Sequence, residues 1–347
     1  MFADHEFPAN PYPGARPPYS FAHHDGGGVR VDPDPAALAG WRAGGDDLDH
    51  WLAGRGGPPM AERVPVLGYG SNPCPSKITW LRESLGLRGP VVVLRARCTG
   101  LGAVWAWGRR VVDDQRPAVL AAVDGVEDHA VLMLTPDQVS VFDACEGRGR
   151  RYGLARVRTG AVELVDAPVA IRDPLAYVGA AEIRRPLLVD GHPVRCAEIP
   201  QAEAIGLIGH PARTDGLAAE PITGPPSPMD FPAALFVYGT LQPGEPAWPL
   251  LAPHAHGEPR RAALPGALYD TGQGFPALTL DEGEVHGWVV PLRPGTDLTA
   301  LDEYEGVEYR RVRVAVGGEL VWTYVWVDPV EGMALLPGRW ERDRLTG

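Results

Sequence analysis

Short apolar runs separated by polar turns dominate the hydrophobic pattern of this chain. β-Branched and aromatic residues are abundant in "VVVLRARCTG", "GAVWAWG", "PAVLAAVDG" and "HAVLMLT" of the first half, and in "PALTL", "EVHGWVV" and "ELVWTYVWV" of the second. Runs of this kind, bounded by Gly, Pro and Asp, predict β-strands. Helical spacing is confined to a few short segments, so the pattern predicts an α+β protein that consists mostly of strands.

Two helices are predicted at matching places in the two halves. The first, in "PDQVSVFDACEG", begins after Pro136 and Asp137 and ends near Gly147. The second, in "PGTDLTALDEYEG", has Asp297 or Thr299 as its N-cap and Gly306 as its C-terminal stop. Both helices therefore end in the same pattern, Asp-x-x-Glu-Gly.

A second repeated feature is a strand that ends in Tyr-Gly-[Ser/Thr]. It occurs in "VLGYGSNPCP" (66–75) and again in "LFVYGTLQPG" (235–244). The order of strand, Tyr-Gly-[Ser/Thr], β-rich middle, Asp-x-x-Glu-Gly helix and further strands is the same in both halves. Such an internal repeat predicts two tandem copies of one domain, not one large sheet.

Composition places the boundaries of these copies. The stretch "AEPITGPPSPMDFP" (219–232) holds five prolines and predicts a linker. The start of the chain is rich in Pro, Gly and His, and "PAALAGWRAGGDDLDHWLAG" indicates two short helices broken at Gly44-Gly45. We therefore predict an irregular N-terminal arm with short helices over 1–58, a first domain over 59–218, the linker over 219–232, and a second domain over 233–347.

Net charge and cysteine content limit the expected binding partners and the expected cellular location. The 347 residues carry a net charge of −12, which argues against nucleic acid and anionic membranes as partners. No apolar stretch approaches the length of a membrane span, and the N-terminus lacks the pattern of a secretory signal. The four cysteines are scattered without a CxxC pair, which favours neither a zinc ribbon nor a disulfide framework. The expected location is the cytoplasm.

The repeated motifs suggest a binding and proton-transfer site. Backbone N–H groups at the end of a Tyr-Gly-[Ser/Thr] strand can form a small concavity for a carboxylate or an oxyanion, although a single occurrence is more often a simple turn. Carboxylates at a helix C-terminus oppose the helix dipole, and here they recur at equivalent positions. A glutamate in a partly apolar pocket would have a raised pKa, which suits acid–base work near neutral pH.

Taken together, these motifs resemble the γ-glutamylcyclotransferase family. The second copy, with "VYGTLQPG", "EVHGWVV", "LDEYEG" and "YRR", is similar to the branch that includes γ-glutamylamine cyclotransferases. The first, with "GYGSN" and "FDACEG", resembles the branch that begins Tyr-Gly-Ser-Asn. The resemblance implies two tandem γ-glutamylcyclotransferase-like mixed β-barrel domains with flanking helices.

The resemblance also implies the site residues. The acid–base residues would be Glu305 in the second copy and Glu146 in the first. The γ-glutamyl-binding residues would be Tyr238, Gly239, Thr240, Leu241 and Tyr309 in the second copy, and Tyr69, Gly70, Ser71, Asn72 and Tyr152 in the first.

The reaction implied by the family is closure of the γ-glutamyl group to 5-oxoproline. The substrate's own α-amine attacks its γ-carbonyl and displaces a free amine, with the glutamate moving the proton. Backbone amides can stabilise the oxyanion, so neither a metal nor an organic cofactor is needed.

Departures in the first copy leave alternatives open. Pro73 removes an N–H from the expected loop, and "GRGRRYG" is unusually basic. The first domain either takes a different substrate, with an extra carboxylate facing Arg148, Arg150 and Arg151, or is a degenerate partner. Two further readings are a non-catalytic binding or scaffold protein that retains the pocket, and a cyclotransferase acting on a γ-glutamylated specialised metabolite. The leaving amine and the oligomeric state stay open.

Overall fold

The structure is a computed structural model that describes residues 1–340 and divides the chain into two compact units. Unit 1 contains residues 1–32, 52–58 and 63–226, and unit 2 contains 33–51, 59–62 and the chain from 227 onward. The division after residue 226 lies within the proline-rich segment 219–232. Among the described residues, no helix is long and apolar enough to cross a membrane.

Strands make up most of the regular structure. The strands are β1 (Phe2–Ala3), β2 (Phe21–His24), β3 (Gly27–Pro33), β4 (Trp41–Ala43), β5 (Asp46–Asp47), β6 (Val64–Gly68), β7 (Val91–Trp105), β8 (Ala118–Leu134), β9 (Tyr152–Val157), β10 (Ala161–Leu164), β11 (Leu175–Gly179), β12 (Leu187–Val189), β13 (His192–Pro193), β14 (His210–Pro211), β15 (Ala219–Pro221), β16 (Ala234–Val237), β17 (Arg260–Asp270), β18 (Pro276–Pro291), β19 (Tyr309–Val316), β20 (Glu319–Trp326) and β21 (Ala334–Leu335).

The helices are short. The α-helices are α1 (Leu48–Ala53), α2 (Pro75–Leu85), α3 (Pro136–Glu146), α4 (Gln201–Ala204), α5 (Trp248–Leu251) and α6 (Thr299–Glu305), and 3₁₀ turns cover Asp4–Glu6, Met60–Glu62, Glu182–Arg184, Pro228–Asp230 and Ala252–His254.

Unit 1 contains a mixed sheet in which β6 is central. The strand order is β15-β9-β11-β6-β8-β7-β2-β3, with β1 added to β3 and β10 added to β7. Strand β6 is parallel to β11 and antiparallel to β8, and all five of its residues are buried. Strands β12 to β14 form a separate small sheet.

Unit 2 contains a mixed sheet with the order β19-β20-β16-β18-β17-β21. Strand β16 is parallel to β20 and antiparallel to β18, and three of its four residues are buried. The pairing within residues 1–340 runs from edge to edge without closing the sheet. It is therefore a half-barrel, where the family resemblance implied a mixed β-barrel.

The two helices of the repeated pattern form where they were predicted. Thr135 and Gln138 cap α3 reciprocally, each side chain accepting the other's backbone N–H at 3.2 Å, and Gly147 ends it in the left-handed conformation. The prediction of Asp297 or Thr299 as the N-cap of α6 was wrong by one position, because Leu298 is the N-cap and Thr299 is the first helical residue. The Asp297 carboxylate nevertheless accepts the N–H of Thr299 at 3.0 Å. Gly306 follows α6 with φ +78°.

The N-terminal residues contain more strand than expected. Residues 1–58 were predicted to be irregular with two short helices over 35–54, but they hold β1 to β5 and the single helix α1. The reason is local at Gly44-Gly45: φ of +62° and +95° favours a tight two-residue turn, which joins β4 to β5 as a hairpin. The first 32 residues instead gain strand pairing with β7 through β2.

Candidate functional site

Strand β16 delivers the Tyr-Gly-Thr turn of unit 2 to the edge of a cavity. The Tyr238 side chain is buried, and its hydroxyl donates to the Tyr324 carbonyl at 2.7 Å, which fixes the end of the strand. A Cβ at Gly239 would lie 3.1 Å from the Pro276 ring. Gly239 does not have a left-handed φ, so close approach explains the glycine better than turn geometry does.

Glu305 is the last residue of α6 and lies against the same cavity. Burial, and secondarily the negative charge of Asp302, raise the pKa of Glu305 to about 7. At neutral pH this carboxyl is therefore divided between its two protonation states, the condition in which it can both accept and return a proton.

The cavity is small, with a volume of about 30 Å³, and brings together the predicted residues of the second copy. Its lining contains Phe236, Val237, Tyr238, Gly239, Thr240, Leu241, Phe275, Pro276, Glu305, Tyr309 and Tyr324. Tyr309 donates its hydroxyl to the Pro276 carbonyl at 2.8 Å. Phe275, Pro276 and Tyr324 were missed by the sequence reasoning.

Asp302, the other acid of the Asp-x-x-Glu-Gly pattern, is a structural group. It accepts two hydrogen bonds from Arg311, at 2.7 and 2.9 Å, and one from the Tyr324 hydroxyl at 2.8 Å. Arg311 therefore compensates a carboxylate at the C-terminal end of α6, where the helix dipole alone would disfavour it.

A second cavity of about 370 Å³ lies beside the first in unit 2. Tyr309 and Tyr324 line both cavities. The remaining walls of the second cavity come from Asp49, Pro59, Ala61, Glu62, Asp302, Gly306, Arg310 and Arg311. This larger space carries charged side chains of both signs, in contrast to the largely aromatic wall of the smaller one.

Unit 1 repeats this arrangement around its own Tyr-Gly turn. The buried Tyr69 donates its hydroxyl to the Tyr177 carbonyl, and the Tyr177 hydroxyl donates to Asp143 at 2.7 Å. Tyr152 donates to the Ala118 carbonyl at 2.9 Å, as Tyr309 does to Pro276. These contacts correspond to those of unit 2 one by one. Comparing the tyrosines of the two halves was the signal that could have found Tyr177 and Tyr324.

The acidic residue of unit 1 has more polar surroundings than Glu305. The Asn72 amide donates to the Glu146 carboxylate at 2.9 Å, and the position of Asn72 is taken by Leu241 in unit 2. Burial raises the pKa of Glu146, while Asn72 and the positive charge of Lys77 oppose the rise. Ser71 lies in the turn, where its carbonyl accepts the N–H of Cys74 at 3.0 Å.

The arginines after Glu146 do not face an open site. One alternative from the sequence had placed a substrate carboxylate beside them. Arg148 pairs with Asp143 at 2.8 Å, and Arg151 donates to the carbonyls of Cys145 and Glu146 at 2.6 and 3.1 Å. These arginines neutralise the C-terminal end of α3, which is the position where cations are favoured. Arg150 is exposed.

Comparison with known proteins places this site in a family. The family model described as "Gamma-glutamyl cyclotransferase, AIG2-like" matches residues 235–342. The γ-L-glutamyl-butirosin B γ-glutamyl cyclotransferase of Niallia circulans is 35% identical over 107 residues, which cover 28% of this chain and 68% of that protein.

Solved structures give fainter likenesses. The mouse AIG2-like protein is 22% identical over 31% of this chain and 88% of its own, with a TM-score of 0.26. YkqA from Bacillus subtilis is 16% identical over 69% of this chain and 76% of its own, with a TM-score of 0.24.

Proposed function

Because this chain belongs to the γ-glutamyl cyclotransferase family, we propose that it releases 5-oxoproline and a free amine from a γ-glutamyl amine or peptide. The observation that carries the proposal is the position of Glu305. Its pKa of about 7 and its place in the wall shared with the Tyr238-Gly239-Thr240 turn suit a group that moves a proton beside a bound carboxylate or oxyanion.

In the proposed reaction Glu305 first takes a proton from the substrate's α-ammonium group. The freed amine attacks the γ-carbonyl, so a new C–N bond closes the five-membered ring, while N–H groups of the turn stabilise the oxyanion. Glu305 returns this proton to the leaving nitrogen as its bond to the carbonyl carbon breaks. The second proton of the attacking nitrogen, which the lactam does not keep, then passes through Glu305 to the released amine, which departs as its ammonium ion. No water is consumed, and the proton count is unchanged.

Each of the two cavities is proposed to hold one part of the substrate. The γ-glutamyl group is assigned to the smaller one, because Glu305 and the Tyr238-Gly239-Thr240 turn lie in its wall. The larger one, which shares the Tyr309 and Tyr324 walls, is the proposed position of the leaving amine. The butirosin-derivative enzyme of Niallia circulans motivates including γ-glutamylated specialised metabolites among the candidates.

We further propose that unit 1 and unit 2 are tandem copies, with domain boundaries near 59–218 and 233–347. The support is the matching strand order β9-β11-β6-β8-β7 and β19-β20-β16-β18-β17, with α3 and α6 at the same place in each. The paired contacts of Tyr69 and Tyr238 support it further. Glu146 is then the acid–base residue of a second site in the same chain.

A panel of γ-glutamyl amines assayed for 5-oxoproline tests this function. Glu305→Gln should reduce turnover at the unit 2 site by at least 100-fold, because the amide cannot take the proton. Adding Glu146→Gln should remove the turnover that remains. The matched control is Glu303→Gln on the same helix, whose exposed side chain lies outside the cavity, and it should retain wild-type activity. Full activity of the Glu146→Gln/Glu305→Gln variant would contradict the acid–base role of the two glutamates, whereas a wild type that forms no 5-oxoproline would favour a binding protein.

A further inference from the structure

The N-terminal arm reaches the Tyr-Gly turn of unit 1. The Arg16 guanidinium donates through Nη2 to the Tyr69 carbonyl at 3.3 Å and also to the Gly70 carbonyl. The Tyr12 hydroxyl lies close over the same turn, since a Cβ at Gly70 would be 2.9 Å from it. Two arm residues are thus part of the surroundings of the first site.

Unit 2 explains what these two residues replace. There the Tyr238 carbonyl accepts a hydrogen bond from the Gln242 amide at 3.0 Å, whereas the residue four places after Tyr69 is Pro73. Proline has no side-chain donor, so Arg16 supplies the missing bond from the arm.

Tyr12 makes a similar replacement. Gly239 of unit 2 is covered by the Pro276 ring, whereas β8 of unit 1 begins with the smaller Ala118. The Tyr12 hydroxyl covers Gly70 and accepts the Ala118 N–H at 2.9 Å, a donor that Pro276 lacks. The arm therefore supplies a wall to the first site and does not merely lie across it.

The replacement of Gln242 by Arg16 adds a charge that the structural role does not require. The titratable groups near enough to affect the Arg16 pKa are Tyr12, Cys74 and Cys196, which are neutral at pH 7. Within residues 1–340 we find no ion pair between Arg16 and a carboxylate, and its Nε and Nη1 have no protein acceptor there. A partly buried guanidinium without a counterion is costly unless a ligand brings the anion.

We propose that Arg16 binds the α-carboxylate of the γ-glutamyl group at the first site, through the part of its guanidinium that faces away from the turn. A guanidinium matches a carboxylate in both charge and geometry. The inference rests on the proposed function, because that function puts a γ-glutamyl group beside the Tyr69-Gly70 turn. Among residues 1–340, the lining of the cavity in unit 2 contains no cationic side chain, so the two sites differ in how strongly they should require the carboxylate.

Calorimetric titration tests this on the full-length Glu146→Gln/Glu305→Gln variant, which should bind γ-glutamyl-alanine without turning it over. The parent should bind two molecules per chain. Adding Arg16→Gln should weaken one of the two sites at least tenfold and leave the other unchanged. For the same dipeptide with its glutamyl α-carboxylate replaced by a carboxamide, Arg16→Gln should change neither site. The matched control is Arg30→Gln, an exposed residue of the same arm paired with Asp32.

Three results would overturn the inference: one binding site per chain in the parent, two sites that Arg16→Gln leaves unchanged, or tighter binding after Arg16→Gln. The last would mean that the arm obstructs the site. If Arg16→Gln also abolished binding of the carboxamide at one site, Arg16→Lys decides. If the Arg16→Lys variant still binds the carboxylate form more tightly than the carboxamide at that site, the inference is supported. If it binds both forms equally, the inference is contradicted. The proposed function fails separately, if the wild type forms no 5-oxoproline.

Discussion

Glu305 and Glu146 end equivalent helices, yet their chemical surroundings differ. Glu305 lies among aromatic side chains, and burial together with Asp302 raises its pKa to about 7. Glu146 receives a hydrogen bond from Asn72 and lies near Lys77, both of which favour its ionised form. Burial still raises the pKa of Glu146, but Asn72 and Lys77 oppose the rise, and in unit 2 the position of Asn72 is taken by Leu241, which offers no hydrogen bond.

The raised pKa of Glu305 has a consequence for stability. Its ordinary value is 4.5, so between about pH 4.5 and pH 7 the unfolded chain loses this proton while the folded chain keeps it. The free energy of unfolding therefore falls between these two pH values. Above pH 7 the folded chain bears the whole cost of ionising the buried Glu305 carboxyl. We expect Glu305→Gln to be more stable than wild type at pH 8, by roughly 1–3 kcal/mol, and nearly equal to it at pH 5.

Thermal unfolding at the two pH values measures this difference. Glu303→Gln serves as the control, because its exposed position predicts no pH-dependent gain. Equal stabilities of Glu305→Gln and wild type at pH 8 would mean that the folded chain does not perturb this carboxyl.

At the scale of elements, each glutamate-bearing helix is tied to the strand that pairs in parallel with the Tyr-Gly strand of its sheet. The tie in unit 2 runs from Asp302 on α6 to Tyr324 on β20, and in unit 1 from Asp143 on α3 to Tyr177 on β11. The aspartate of the pattern thus positions the helix, while the glutamate three residues later faces the site. This division explains why both acids recur in both halves.

Tyr324→Phe tests the tie without altering the cavity shape. Loss of one hydrogen bond to a charged but partly exposed acceptor should lower the free energy of unfolding by roughly 0.5–2 kcal/mol. Tyr177→Phe should cost a similar amount in unit 1. Urea unfolding measures both, with Tyr304→Phe as a control that removes only an exposed hydroxyl contact with Thr240 at 3.2 Å. If either variant loses less free energy of unfolding than the control does, the helix concerned is held in place by other contacts.

At the scale of the whole molecule, the features that depend on the spacing of nearby residues could be predicted from the sequence. The two Tyr-Gly strand ends, the helices around Phe142 and Leu301 and their glutamates follow from periodicity, caps and the repeat. The sheet of the first 32 residues did not follow, because it is joined to the rest of unit 1 through the pairing of β2 with β7, far along the chain. Arg16 meets Tyr69 across 53 residues, and nothing in the local pattern of either residue indicates that contact.

The most direct test of the central claim is the identity of the product formed in H₂¹⁸O. A γ-glutamyl amine incubated with the wild-type protein should yield 5-oxoproline without ¹⁸O and one equivalent of free amine, since the nucleophile is the substrate's own nitrogen. Mass spectrometry of the product distinguishes this from hydrolysis. Glutamate that carries one ¹⁸O atom would contradict the account, because it would mean that water and not the α-amine attacks the γ-carbonyl beside Glu305.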